Sequence, residues 1–158
     1  MREMRAGELM TPDPIVVLPD TPITEVAREL RTHDIGSVPV VSDQHGKRLV
    51  GVITDRDIAT RCVAEGHDPS RCAAKHHMTQ EVVSARAGDD VNRVMELMAG
   101  AQVRRLPVTD ERERVIGIIA QADLAVDAVE DDAASPIDVA YTVERISRPA
   151  HPERKSMH

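Results

Sequence analysis

Several sets of side chains in this 158-residue chain are of types that do chemistry. Cys62 and Cys72, with His76 and His77 just beyond, could ligate a soft metal ion. The Cys-x-x-Cys and paired-histidine spacings of zinc sites are missing, so no metal site is expected, and the two cysteines are expected to stay reduced thiols. Asp57 in Thr54-Asp55-Arg56-Asp57 and Asp123 in Ala120-Gln121-Ala122-Asp123 each fall in what reads as the first turn of a helix. A carboxylate there can accept ligand hydroxyls beside helix N–H groups that favour phosphate. It can equally cap the helix, and Thr54-x-x-Asp57 fits a reciprocal cap worth about 1 kcal/mol. Arg105 offers a guanidinium group that can grip phosphate oxygens in bidentate fashion or simply face solvent or an interface. His33, beside Asp34, is expected to cap the end of its helix. Asp43, His45 and Lys47 lie in a loop where nothing converges, and Glu130-Asp131-Asp132 reads as a solvated helix end. No nucleophile has a recognisable base at a meaningful spacing, and neither a phosphate loop nor a nucleophile elbow is present, so an enzyme is not expected.

The elements that position these residues occur twice, at an offset of 68 residues. Met10-Thr11 recurs as Met78-Thr79. Short β-branched runs follow, Ile15-Val16-Val17 and Val82-Val83, and then apolar sets at helical spacing: Ile23, Val26, Ala27 and Leu30, against Val91, Val94, Met95 and Met98. Residues 35–41 and 103–109 read as strands, each with a central proline that suggests an edge or a backbone facing a ligand. Polar loops 42–48 and 110–114 lead into 49–53 and 115–119, which predicts two antiparallel hairpins, the second with a loop two residues shorter. A second helix starts at Thr54 and at Ala120. Each copy is thus a β-α-β-β-α unit too small to cover its own sheet, and the two are expected to pack sheet to sheet in an α/β (α+β) fold. The expected organisation is repeat one over 8–64, a linker over 65–77, repeat two over 78–132, and a tail over 133–158. Met1 to Leu9 is expected to add a short helix, Ile137 to Ile146 is the tail's amphipathic stretch, and the last ten residues are expected to be disordered.

Composition narrows the functional classes. With 41% hydrophobic and 30% charged residues the chain reads as soluble and globular, and no apolar run suits a membrane span or signal peptide, so the cytoplasm is the expected address. A net charge of −7 argues against nucleic acid, whose phosphates need a positive field, and a single Tyr with no Phe or Trp removes stacking platforms.

The paired Met-Thr, the hydrophobic-x-x-hydrophobic-Pro-Val strands and Gly51-Val52-Ile53-Thr54-Asp55-Arg56-Asp57-Ile58 together resemble a tandem pair of CBS (cystathionine β-synthase) domains over about residues 8 to 130. His33-Asp34-Ile35-Gly36 and Gln102-Val103-Arg104-Arg105 make the chain similar to stand-alone actinobacterial CBS pairs of the hypoxic-response type. The resemblance implies two clefts that bind adenosine-containing ligands such as AMP, ADP, ATP or S-adenosylmethionine. The first would combine Met78, Val83 and Val103 with Val52, Thr54 and Asp57. The second would combine Met10, Ile15, Ile35, Gly36 and Ser37 with Arg105, Ile118, Ala120 and Asp123. Aliphatic groups would hold the base, the aspartate the ribose diol, and Arg105 a phosphate. In the second copy Ala120 replaces the capping hydroxyl while Asp123 stays, so reciprocal capping does not account for both aspartates. Gly36 leaves room beside a base, whereas Arg104 at the matching position would fill the first cleft with its stem, so a nucleotide is expected to prefer the second.

Two functions follow from the resemblance. One is a non-catalytic regulatory module, a homodimer that senses an adenine nucleotide and signals to an unknown downstream protein by a shape change, with no nucleic-acid or membrane partner. The other is a ligand-free scaffold of the stress or dormancy response with vestigial clefts. Ile23, Val26, Met95 and Met98, with the second helices, are candidates for the dimer face.

Overall fold

The computed structural model describes residues 2–149, a mixed α/β fold in which the β-α-β-β-α pattern occurs twice. Of the last ten residues, expected to be disordered, the final nine, 150–158, lie outside the described part. The chain divides into two compact units that cut across the sequence repeats: residues 11–82 with 109–117, and residues 2–10, 83–108 and 118–149.

In the unit built on 11–82, helix α2 (Ile23–His33) buries Ile23, Val26 and Leu30 and ends on Asp34, whose left-handed backbone (φ 51°) returns its N–H to the carbonyls of Leu30 and Arg31. Ala27 is exposed, at the margin of the stripe rather than within it. His33 turns back onto Glu29, 3.2 Å away, instead of capping the helix, and Asp34 closes the end. Strands β2 (Ser37–Val41) and β3 (Leu49–Thr54) pair antiparallel, with Ser37 opposite Thr54, Pro39 opposite Val52, and an irregularity at Val40/Val41. The run Ile15-Val16-Val17 is not a strand. Only Val17 bridges, to Val40, accepting from Val41 N–H and donating to the Pro39 carbonyl. Pairing on that side stops at Pro39, which suits a residue without an N–H. Val17, Ile23, Val26, Leu30, Val38, Val40, Ile53, Cys62 and Ala74 form the core.

In the other unit, α5 (Val91–Ala101) buries Val91, Val94, Met95 and Met98, with Asp90 capping its start by accepting from Arg93 N–H at 2.8 Å. Val82-Val83 is likewise no strand; the two-residue strand β4 falls at Ala85–Arg86, and Ala85 matches Val17 at the repeat offset. Strand order runs β4, β5 (Arg105–Thr109), β6 (Val115–Ala120), and the start of β6, which belongs with residues 109–117 to the first unit, carries β1 (Thr11–Pro12) there, with Asp13 N–H on the Ile116 carbonyl. Helix α7 (Pro136–Ser147), capped by Ser135, packs on α5 through Val139, Thr142 and Ile146, so the amphipathic tail docks on its own chain. Gln102 fastens it by donating to the carbonyls of Arg145 and Arg148.

The proposed dimer stripes are core. Ile23, Val26 and Met98 are fully buried and Met95 nearly so within one chain, which corrects that expectation. Short leader helices complete each unit. Helix α1 (Ala6–Leu9) gives its Ala6 and Gly7 N–H groups to the carbonyls of Asp89 and Ala87, and α4 (Ala74–His77) gives those of Ala74 and Lys75 to Thr21 and Pro19. The two sets match residue for residue at the offset of 68, so the duplication extends upstream of Met10 and Met78 to include the leaders.

Candidate functional site

The second helix of each repeat begins the same way. One α turn, α3 (Asp55–Asp57) or α6 (Gln121–Asp123), runs into a π-helical stretch, π1 (Ile58–Val63) or π2 (Leu124–Ala128). Cys62 and its counterpart Ala128 are both fully buried there, as the apolar face of each helix requires. The strand before each helix is joined to the chain entering the previous strand: Asp55 N–H donates to the Gly36 carbonyl at 2.9 Å, and Gln121 N–H to the Arg104 carbonyl at 2.8 Å.

At Thr54 the cap is reciprocal. Thr54 Oγ1 accepts from Asp57 N–H and the Asp57 carboxylate accepts from Thr54 N–H, each at 3.0 Å. The other Asp57 oxygen lies 3.7 Å from Arg61 Nε. At Ala120 the hydroxyl is missing, yet the Asp123 carboxylate still accepts from Ala120 N–H at 2.7 Å. The carboxylate half of the cap therefore engages both aspartates and the hydroxyl half only the first, so reciprocal capping does not account for both. The surroundings differ. Arg105 Nε and Gln121 Oε1 are buried and have no hydrogen-bond partner among the described residues. Burial lowers the Arg105 pKa from its ordinary value, and the nearby Asp123 charge partly restores it. An unpartnered buried polar atom costs about 1–3 kcal/mol, so two at one helix start call for a partner. Gln121 was not singled out in the sequence; its only signal was a polar residue where the first repeat has Asp55.

The remaining candidates fall into the two units. Ile15, Ile35 and Met78 are half-buried and pack against the core of the unit built on 11–82. There Ser37 is opposite Thr54, and Val52 exchanges both backbone hydrogen bonds with Thr79, next to Met78, at 2.9 Å each. Gly36 is exposed, and a Cβ added to it would meet only the Asp55 carboxylate, at 3.5 Å, so packing does not demand glycine there. Gly51 is different: its Cβ would lie 2.7 Å from Met78 Sδ and 2.9 Å from the Thr79 carbonyl oxygen. In the other unit Met10 ends α1, Val103 closes α5 through its N–H on the Met98 carbonyl, Ile118 is buried, and Val83 and Arg104 are exposed.

With that geometry in place, comparison with known proteins defines the class. The CBS domain family matches residues 6–64 and 74–127. The chain belongs to this family and carries two CBS domains. Hypoxic response protein 1 of Mycobacterium tuberculosis is 36% identical over 103 residues, 65% of this chain and 70% of that protein. An uncharacterised Methanopyrus kandleri protein is 33% identical over 124 residues, 78% of this chain, which spans only 62% of that relative's length. Among solved structures, Hypoxic Response Protein I with two coordinated zinc ions superposes with a TM-score of 0.71 at 33% identity, over 77% of this chain and 97% of that one. The CBS domain pair of protein MJ0100, in complex with 5′-methylthioadenosine and S-adenosyl-L-methionine, superposes with a TM-score of 0.71 at 28% identity, over 82% and 99%. Among the described residues no helix is long and apolar enough to cross a membrane.

Proposed function

We propose that this chain is a non-catalytic regulatory CBS pair that binds an adenosine-containing ligand and passes occupancy to a downstream protein by a change of shape. The ligand prefers the residues of repeat two, Arg105, Ile118, Ala120 and Asp123, to their counterparts in repeat one. The observation that carries this reading is the start of the second helix of repeat two. Arg105 Nε, near the Asp123 carboxylate, and Gln121 Oε1 lie buried without hydrogen-bond partners among the described residues. A guanidinium suits a phosphate or carboxylate group of the ligand, the amide oxygen an amino or hydroxyl group, and Asp123 the ribose diol. The complex reported for the MJ0100 CBS pair supports the same ligand class. Coupling requires that the ligand bind two arrangements of the chain with different affinity. The working form is a cytoplasmic homodimer, with a contact face outside the buried stripes of α2 and α5.

A thermal-shift panel of AMP, ADP, ATP, S-adenosylmethionine and 5′-methylthioadenosine tests the reading. A ligand present at 100 times its Kd stabilises the fold by about 2.7 kcal/mol. No shift across the panel, with native mass spectrometry showing no retained nucleotide, favours the ligand-free stress-response scaffold instead.

A further inference from the structure

Three side chains that this function leaves unused meet where repeat one ends and the linker begins. Cys62 on π1, Cys72 in the linker and His77 at the end of α4 place their Sγ, Sγ and ring-nitrogen atoms within 4.8 Å of one another. Both cysteines are free thiols. Cys62 is fully buried and His77 is 5% exposed. His77 Nε2 is buried with no hydrogen-bond partner among the described residues, a cost that a bound cation would remove. His76, which the sequence had grouped with these residues, is used elsewhere: its Nδ1 accepts from Ala73 N–H at 3.0 Å.

A fourth group stands beside them. The His67 ring centroid is 5.4 Å from that of His77, close to the roughly 5 Å expected of two imidazoles on one tetrahedral zinc. Cys62, His67, Cys72 and His77 recur every five residues, a Cys-x4-His-x4-Cys-x4-His pattern outside the common zinc spacings. The fold holds this stretch in place at several points. His67 N–H donates to the Cys62 carbonyl at 3.0 Å, Gly66 turns the chain with φ 78°, and Ala74 N–H is fixed on the Thr21 carbonyl at 2.8 Å. Burial, with Cys72 second, raises the Cys62 pKa, and burial lowers that of His77.

We propose that Cys62, Cys72, His77 and His67 form a tetrahedral site for a divalent cation of the zinc class. Two sulfur and two imidazole donors suit Zn²⁺, and the absence of oxygen donors from the set disfavours Mg²⁺ and Ca²⁺. Ligand atoms on such a centre lie about 3.5 Å apart, so Cys62, Cys72 and His77 close by a contraction of about 1 Å and the His67 side chain swings in to join them. Each thiol releases its proton to solvent, the two thiolates neutralise the cation, and no electron is transferred. The neutral centre tolerates Arg61, which donates to the His77 carbonyl at 3.4 Å.

The test is titration of Co²⁺ into the full chain, reduced and shown by thiol counting to hold two free thiols. The expected result is one equivalent bound, with a thiolate-to-cobalt charge-transfer band and strong tetrahedral d–d bands that Zn²⁺ abolishes. Cys72→Ser, half-buried and conservative, should weaken binding at least tenfold and reduce the charge-transfer intensity. His67→Ala should weaken it about tenfold, and His45→Ala, in a distant loop, should change nothing. No charge-transfer band on the reduced wild-type chain, or the same band in Cys62→Ser/Cys72→Ser, overturns the site. Undiminished affinity in His67→Ala overturns the four-ligand assignment. The adenosine panel is read separately, so failure of one reading leaves the other measurable.

Discussion

At Thr54 and at Ala120 the backbone enters a helix with nearly the same angles, φ −115° and ψ 162° against φ −98° and ψ 156°, and in both repeats an aspartate three residues on folds back over the strand's last N–H. At Thr54 the exchange is complete, because hydroxyl and carboxylate satisfy each other's backbone. At Ala120 the hydroxyl is gone, and near the remaining half-cap a buried guanidinium nitrogen of Arg105 and a buried amide oxygen of Gln121 have no hydrogen-bond partner among the described residues. Duplication preserved the backbone of the site and let its polar surroundings diverge. One copy spends its polar groups on stability, and the other holds them buried in a form that a ligand can use.

Breaking that contrast has its largest effect at Arg105. Loss of a charge-assisted hydrogen bond is worth about 1.5–3 kcal/mol, so Arg105→Ala should lower affinity for the adenosine ligand roughly 10- to 150-fold by calorimetry. Unchanged affinity would remove Arg105 from the site. Next is Gly51→Ala in repeat one. The new Cβ would meet the Thr79 carbonyl, which cannot swing aside as the Met78 thioether can. It should cost about 1–3 kcal/mol, read as a lowered Tm, whereas Gly36→Ala should leave Tm within about 0.5 kcal/mol of wild type and show itself only in ligand binding.

The caps themselves sharpen the comparison. Thr54→Ala should cost about 1 kcal/mol, and Ala120→Thr, placed on an already suitable backbone, should gain about 0.5–1 kcal/mol in denaturant unfolding. Equal effects of either sign would show that the two starts are not distinct. The smallest effect lies in the hairpin loop of repeat one. The N–H groups of Gly46 and then His45 hold the Asp43 carboxyl below its ordinary pKa of 3.8. A carboxylate with a depressed folded pKa adds stability above its unfolded pKa and loses it as pH falls through the folded value. The Tm difference between wild type and Asp43→Asn should therefore be present at pH 7 and fade below about pH 4.

Much of this was legible in the residues. The repeat offset, both hairpins and the stripes of α2 and α5 follow from apolar periodicity, which burial enforces. Ile15-Val16-Val17 and Val82-Val83 were misjudged as strands because β-branched composition is a local signal. Pairing was decided instead by which residues reached the neighbouring strand, Val17 alone in one copy and Ala85–Arg86 in the other. Asp57 and Asp123 were visible as helix starters, but the unmet needs of Arg105 and Gln121 depend on burial, which spacing does not encode. Cys62, Cys72 and His77 were legible as possible ligands, but not their approach: a turn at Gly66 and a docked α4 bring them together, and their spacing matches none of the common zinc motifs.

The central claim is met most directly by isothermal titration calorimetry of AMP and S-adenosylmethionine into the wild-type chain, Asp57→Ala and Asp123→Ala. One of the two ligands should bind, with affinity at least tenfold weaker in Asp123→Ala and changed much less in Asp57→Ala. An affinity that Asp123→Ala leaves untouched while Asp57→Ala abolishes it would contradict the account.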